Sequence, residues 1–370
     1  MEKTNVEHSV LNLFGLTYEQ SRLMFSVEKY ITEYDCDLTD HKRTTSAKTA
    51  AAKRAWAKKW EESILDYLQA ANPEKEVSLL SKEELKESFL EAVKASPNQT
   101  WYYIVILECL TFVPYTPLGE DNDKDYKHCC HDDKKCDTMV KDMFAQQGVL
   151  SAETIERLNK TYVRCLNKTS GKTGKIAVGA VAVIATAALA AAVAAITAGP
   201  VAVGLFGAQF AGLHGAALTS TCLALAGGGA VAIGGHGMAG GILAIAGGGA
   251  LLGLAGGGAA AGAAGLMMSS PDYTLTQAAK LETILKEVIV IAQQDVATAQ
   301  KIIAEYKEQI YALSKKVAEL ELEDEKNKKE IKAIKTCIKY MKKSCKDAEV
   351  FTSAYEVGKN IQDQEDCEEE

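Results

Sequence analysis

The chain has 370 residues, 47% hydrophobic and 24% charged, with a formal net charge of −8 and a pI near 5.5. Such a length and apolar fraction allow two or three domains around a sizeable core. The acidic balance argues against a nucleic-acid protein, because no face-wide basic excess is left to neutralise phosphates.

The averages conceal two materials: between Lys175 and Asp272 lie 96 residues without one Asp, Glu, Lys or Arg. The flanks are rich in Lys, Glu, Leu and Ala, and only 6 prolines occur in the whole chain. Straight-chain residues and alanine favour helix, so an all-α protein is expected. Its form would be a helical bundle with a long C-terminal coiled-coil-like helix and a central, Gly/Ala-rich, transmembrane-capable module. The composition shifts divide the chain into a helical domain (1–113), an acidic Cys/His loop (114–137), a helix with a basic hinge (138–175), the hydrophobic module (176–271), a heptad helix (272–346) and an acidic tail (347–370). Met1 to His8 lacks an apolar run behind a basic one, so no secretory signal is read and a cytosolic start is expected. The 10 cysteines are then thiols or metal ligands rather than a disulfide framework, and the sequons at Asn98, Asn159 and Asn167 carry little weight.

In chain order, Val6 to Leu110 is helical in pattern. Lys48, Lys53, Arg54, Lys58 and Lys59 surround Trp56 and Trp60 on one helix. Basic residues beside tryptophan suit anionic lipid, but two tryptophans four apart more simply pack into a core beneath a solvated face. Ser81 and Glu84 form a capping box for a helix running towards Ala95, ended by Ser96-Pro97-Asn98. Trp101 to Val113 reads as a buried helix, with Trp101, Tyr102, Tyr103 and Phe112 as anchors.

Pro114, Pro117, Gly119 and the acids from Glu120 to Asp125 predict an exposed loop to about Asp137. His128, Cys129, His131 and Cys136 crowd it, and imidazole with thiolate at short spacing suits tetrahedral zinc. Adjacent Cys129 and Cys130 do not both readily face one ion, so surface thiols or a redox switch are the alternative. Asp121, Asp123 and Asp125 begin like a calcium loop, but Tyr126 stands where the turn demands glycine.

A helix is expected over Thr138–Lys168, interrupted near Gly148 and restarted by Ser151 as N-cap. Ser170 to Lys175 is a basic hinge containing Gly171 and Gly174. It is not a phosphate loop, since Leu166 occupies the place of the leading glycine and no strand precedes it.

Ile176–Ala198 is long enough to cross the roughly 30 Å of bilayer hydrocarbon. Gly199-Pro200 breaks it, Val201–Ala226 is a second span, and two glycine-rich segments follow to Met268. A repeat recurs as LALAGGGA (223–230), LAIAGGGA (243–250) and LGLAGGGA (252–259). GxxxG spacings at Gly237/Gly241, Gly249/Gly253, Gly253/Gly257 and Gly258/Gly262 place glycine pairs on single helix faces, which lets helices approach closely in lipid. In water the 23 glycines of this stretch cost about 1 kcal/mol each relative to alanine in a helix. A water-soluble form therefore requires neighbouring helices to wrap it.

The run Gly235-His236-Gly237-Met238-Ala239-Gly240-Gly241, with Ala246 to Gly253 after it, resembles the glycine-rich core of the interferon-alpha-inducible small membrane proteins and glycine-zipper segments of bacterial membrane-active effectors. The layout of long helix, apolar segment and long helix is similar to α-helical pore-forming toxins of the cytolysin and enterotoxin type. These resemblances imply a membrane-destabilising or death-promoting role.

Pro271 opens the last part. Leu285, Ile289, Ala292, Val296, Ala299, Ile303, Tyr306 and Ile310 begin a heptad series that continues to Met341 and predicts one long helix to about Cys345, with Asp324 and Asn327 as a polar hinge on its seam. The tail to Glu370 is expected to be disordered. No nucleophile elbow, zinc-protease or dinucleotide motif occurs, so no enzyme is expected. The reading is of a membrane-inserting effector, cytoplasmic while soluble and membrane-bound when active, which oligomerises through its glycine faces. A constitutive coiled-coil tether is the alternative. Its partners would be a lipid bilayer, copies of itself, and a protein meeting the N-terminal domain or the heptad helix. Zinc is the one cofactor the loop admits.

Overall fold

The computed structural model describes residues 16, 18–40, 46–71, 76–96, 98–115, 123–171, 271–323 and 328–369, and among these every regular element is helical. α1 (Tyr18–Asp40) and α2 (Ala47–Ala71) form an antiparallel pair, joined by Lys29–Glu61 at one end and Lys53–Asp35 at the other. α2 buries a ladder at every fourth residue, Trp56, Trp60, Ile64 and Leu68, because residues i and i+4 share a helix face. The two indoles stack with centroids 6.1 Å apart, and Trp56 meets the Tyr115 ring edge at 5.4 Å. Both tryptophans are fully core, so they are not a lipid-docking surface.

α3 (Lys82–Ala95) begins with the expected capping box: Ser81 Oγ accepts from Glu84 N, and Glu84 Oε2 accepts from Ser81 N at 2.8 Å. α4 (Thr100–Leu110) is buried on nearly every side. Around it Phe89, Trp101, Tyr102 and Phe144 form an edge-and-stack cluster with centroids 5.6 to 6.3 Å apart, the geometry that aromatic quadrupoles favour. α5 (Asp133–Gln147) and α6 (Ala152–Ser170) are separated at Gly148, whose φ of 74° is left-handed, and Ser151 caps the restart through Thr154 N. The interruption expected there is present. α5 starts earlier than Thr138 because Asp132 accepts from Lys135 N as an N-cap.

The loop expected to be exposed is anchored instead: Tyr115, Tyr126 and Cys136 are all buried. A short 3₁₀ turn covers Asp123–Tyr126.

The single heptad helix is three helical pieces in the structure. α7 (Pro271–Ile284) runs into a π-helical segment (Leu285–Ala292), then α8 (Val296–Glu323) and α9 (Lys328–Glu369) follow. The break falls at Gln294, whose φ of 54° is left-handed. Two sequence features favour it: four β-branched residues from Val288 to Ile291, which lose χ1 freedom in a helix, and Asp295, whose carboxylate accepts from Thr298 N at 2.9 Å as an N-cap. α8 and α9 then pack antiparallel, paired by Lys307–Glu349, Gln300–Glu356 and the Cys345 thiol at the Ile303 carbonyl. The heptad residues buried on α8 and α9, among them Ala299, Ile303, Tyr306, Ile310, Val317, Ile331, Ile338 and Met341, thus lie in an intramolecular hairpin, while Leu285 and Ile289 belong to the π-helical segment and Ala292 is exposed. Asp324 and Asn327 lie outside the described residues. The expected disordered tail is also corrected, since α9 continues to Glu369, held by buried Ala348 and Thr352 and by Phe351 against the core.

The apolar core is continuous from Leu23 of α1 to Ala348 of α9. Among the described residues no helix is long and apolar enough to cross a membrane; the spans expected between Ile176 and Met268 lie outside them.

Trp60→Ala should cost about 3–5 kcal/mol of unfolding free energy, the usual figure for truncating a buried aromatic. Tyr311→Ala, at a side chain 73% exposed, should stay within about 0.5 kcal/mol. Guanidinium titrations followed by circular dichroism compare the two.

Candidate functional site

The uncharged stretch is flanked by α6 and α7, and these helices pack against each other in opposite directions. Thr161 Oγ1 donates to Glu287 Oε1 at 2.5 Å, Arg157 Nε donates to Glu287 Oε2 at 2.7 Å, and Cys165 lies against Glu282 and Thr283 one to two turns nearer the start of α7. The end of α6 and the start of α7 therefore lie at the same end of the bundle.

Gly171 closes α6, its N–H donating to the carbonyls of Asn167 and Lys168. Its φ is 72°, a left-handed conformation that calls for glycine, and the atom a Cβ would meet is the flexible tip of Lys343. This expected hinge is a helix cap. Pro271 is the first residue of α7, where a missing N–H costs nothing. Gly174, Gly199 and Pro200, with the zipper glycines Gly237, Gly241, Gly249, Gly253, Gly257, Gly258 and Gly262, lie outside the described residues.

α7 and the π-helical segment carry an unusual load of buried charge, clasped from three sides. Lys280 donates to Glu108 Oε2 of α4 at 2.5 Å. Lys286 bridges Glu282 and Asp347, at 2.7 Å to each, and Asp347 also takes Lys168 of α6. Glu287 is held by Arg157 and Thr161 as described. Burial raises the Glu28 carboxyl, beside the Glu108 charge, well above the ordinary range. Glu282, its side chain without solvent exposure, is pushed up to about 7 by burial and then by Asp347. Asp347 moves the other way: burial would raise it, but hydrogen bonds from Glu282, Lys168 and Lys286 hold it well below the usual carboxylate range. A protonated Glu282 donating to an ionised Asp347 accounts for both shifts, and it supplies the partner that Glu282 Oε2 otherwise lacks.

A second polar hub fastens the Cys/His loop. Asp35 Oδ2 accepts from Lys53 Nζ at 2.6 Å and from Tyr115 OH at 2.7 Å, while Oδ1 accepts from Asp132 N at 2.8 Å. Lys53 also donates to Thr39 Oγ1 and lies 4.7 Å above the Tyr115 ring. This hub holds Tyr115, a non-glycine residue, at φ 66°. Of the expected zinc ligands, Cys136 is buried, Cys129 is half-buried and His128 is exposed, while His131 Nε2 meets Asp133 at 2.9 Å. Among the described residues no three His, Cys, Asp or Glu side chains come together as a metal site. Burial pushes the Cys136 thiol up to about 12, helped by the charges of Asp35 and Asp132, and raises Cys129 as well. Thiols kept protonated are weak ligands and weak nucleophiles. Cys36, Cys109, Cys129, Cys130, Cys136, Cys165 and Cys345 are in no disulfide.

Sequence reading missed Asp35, Glu108, Lys280, Glu282 and Asp347. Apart from the i,i+4 pair of Glu282 with Lys286, their partners are distant along the chain and no short-range spacing announces them. Comparisons with protein-family models, with curated proteins and with solved structures find no match.

Asp35→Ala, which strands the buried Lys53 ammonium, should destabilise by about 3–5 kcal/mol. Asp40→Ala, at the solvent-exposed Arg54 pair, should cost no more than about 1 kcal/mol, and urea unfolding separates them. An acid whose pKa is higher folded than unfolded holds an extra proton in the folded state between the two values. Glu282 therefore makes stability fall as pH rises from about 4.5 to about 7. Glu282→Gln should be near neutral at the acid end of that window and should stabilise by about 1–3 kcal/mol above it, a difference read from melting curves across pH.

Proposed function

We propose that this chain is a membrane-inserting helical effector: a bundle that holds a glycine-zippered hydrophobic stretch by both ends and releases it into a bilayer, where copies associate and permeabilise the membrane. The observation that carries the reading is the antiparallel pairing of α6 with α7. It fixes both ends of a 96-residue stretch free of charged side chains at one end of the bundle. A segment that crosses a bilayer an even number of times must leave and return on one side, and spans of roughly 20 residues fit the stretch in pairs. The GxxxG faces supply association in lipid, where close backbone approach replaces the hydrophobic drive.

The clasps on α7 supply restraint. Each holds the helix that follows the stretch against α4, α6 or α9, and a buried pair opens at a high cost unless its partners change protonation. Insertion in this reading requires α7 to loosen from α6, with the Glu282–Lys286–Asp347 contact as the restraint nearest the stretch that titrates close to neutrality.

Dye release from liposomes tests the proposal. The full chain should leak dye, and Gly249→Leu with Gly253→Leu should reduce leakage at least about tenfold by blocking close helix contact, while vesicle co-sedimentation persists. Membrane residence without leakage under every pH and lipid composition would instead identify a constitutive tether.

A further inference from the structure

α9 carries Lys332, Lys335, Lys339, Lys342 and Lys346 at alternating steps of three and four residues, which keeps them on one helix face. The last four, with Lys343, line a groove of about 580 Å³ between α8 and α9, and Val317 and Ile338 form its buried floor. No carboxylate lines this groove among the described residues. A lysine rim over an apolar floor is unusual in a chain of net charge −8.

Its position is informative. Lys343 Nζ donates to the Thr169 carbonyl at 3.3 Å, two residues before α6 ends at Gly171. Ser344 donates to the Ala278 carbonyl at 2.9 Å, and Asp347 and Phe351 lie further along against Lys286, so α9 runs parallel to α7. Stepping back seven residues on each helix from Ser344 and Ala278 sets Pro271 level with Cys337. The groove therefore straddles the end of the bundle from which the uncharged stretch departs, and Lys332 and Lys335 lie beyond that level. In sequence, Lys172 and Lys175 stand between Gly171 and the first uncharged residues.

We propose that this lysine groove is the surface by which the protein recognises phosphate-bearing headgroups of an anionic bilayer, seating the departure end of the bundle on the membrane before insertion. The inference rests on the membrane-inserting reading for its orientation. Charge complementarity selects the occupant: each lysine close to an anionic surface strengthens binding roughly fivefold at low screening. A bilayer meets this one face, whereas an extended nucleic acid would also meet the acidic remainder of the molecule. Lysine stems lying over Val317 and Ile338 keep their ammonium groups at the rim.

The test uses the full chain and co-sedimentation with two vesicle types, phosphatidylcholine alone and phosphatidylcholine with phosphatidylserine. The native protein should prefer the anionic vesicles, with binding that weakens as salt is added. The variant Lys335→Gln/Lys339→Gln/Lys342→Gln/Lys346→Gln should lose about two to three orders of magnitude of affinity for anionic vesicles and none for the zwitterionic ones. The corresponding Lys→Arg variant should retain binding, and unchanged melting curves for both variants exclude a merely structural effect. Equal binding of the native and glutamine proteins to anionic vesicles would overturn the proposal. So would an absence of lipid preference in the native protein, or tighter binding of a duplex RNA than of anionic vesicles. Sedimentation is read without leakage: failure of the insertion reading leaves both proteins without dye release, and failure of the headgroup reading leaves dye release indifferent to the substitutions.

Discussion

Ser170 and Pro271 are separated by 100 residues of sequence, yet the helices that end and begin there lie side by side, and the rest of the bundle is arranged about that pairing. α4 lies across it through Glu108 and Lys280, α9 closes it through Ser344 and Asp347, and α8 packs along α9 and against the π-helical segment. α6 and α7 both bury apolar residues in this core, Ile155, Leu158 and Leu166 on one and Leu275, Leu281 and Ile284 on the other. α7 buries Thr274, Thr276, Lys280, Glu282 and Thr283, each a group that water would welcome. Burying them is unfavourable unless partners are met: Lys280 finds Glu108 of α4, Glu282 finds Lys286, and Thr283 donates to the Ala279 carbonyl of its own helix.

Such a helix contributes less stability than an apolar one of the same length, since desolvation offsets much of the Coulomb attraction. In return it has one address. The buried carboxyls around α7 also differ in how they answer to pH: Glu28 and Glu282 are shifted up, Asp347 down. Acidification therefore relieves the first two while it strains the last. The hub at Asp35 is independent of these, and it holds the Cys/His loop against α1 and α2 through one carboxylate that accepts from a side-chain cation, a phenol and a backbone amide.

Local features were legible in the sequence. The Ser81 and Ser151 caps, the Gly148 interruption, the buried character of α4 and the all-helical class follow from hydrogen-bond chemistry and periodicity within a few residues. The heptad series from Leu285 predicted one continuous helix, but its first turns are π-helical and its Ala292 is exposed, because periodicity gives a face and not a topology. The same seam serves a continuous coiled coil or an antiparallel hairpin, and the N-cap at Asp295 was the overlooked sign of a break. The acidic end of α9 read as disorder because composition alone does not show Phe351 and Thr352 turned towards the core. At the candidate sites, the lysine spacing on α9 was available and passed over among the general charge. The long-range pairs of α7 were beyond reach, because an Asp or Lys amid helix formers looks the same whether solvated or clasped. Nearness in sequence does not fix geometry either: among the described residues no three metal-ligating side chains gather around the expected zinc ligands.

The distance along the chain between α6 and α7 also sets an order of events. Closing a flexible loop of that length costs about 4 kcal/mol of chain entropy, recovered only when the clasps form. At about 5–20 residues per second of synthesis, the faces of α4 and α6 that await α7 and α9 stay uncovered for several seconds while the uncharged stretch is being made. The bundle cannot close before its own hydrophobic insert has left the ribosome. The newborn chain thus keeps those faces waiting while it is still incomplete.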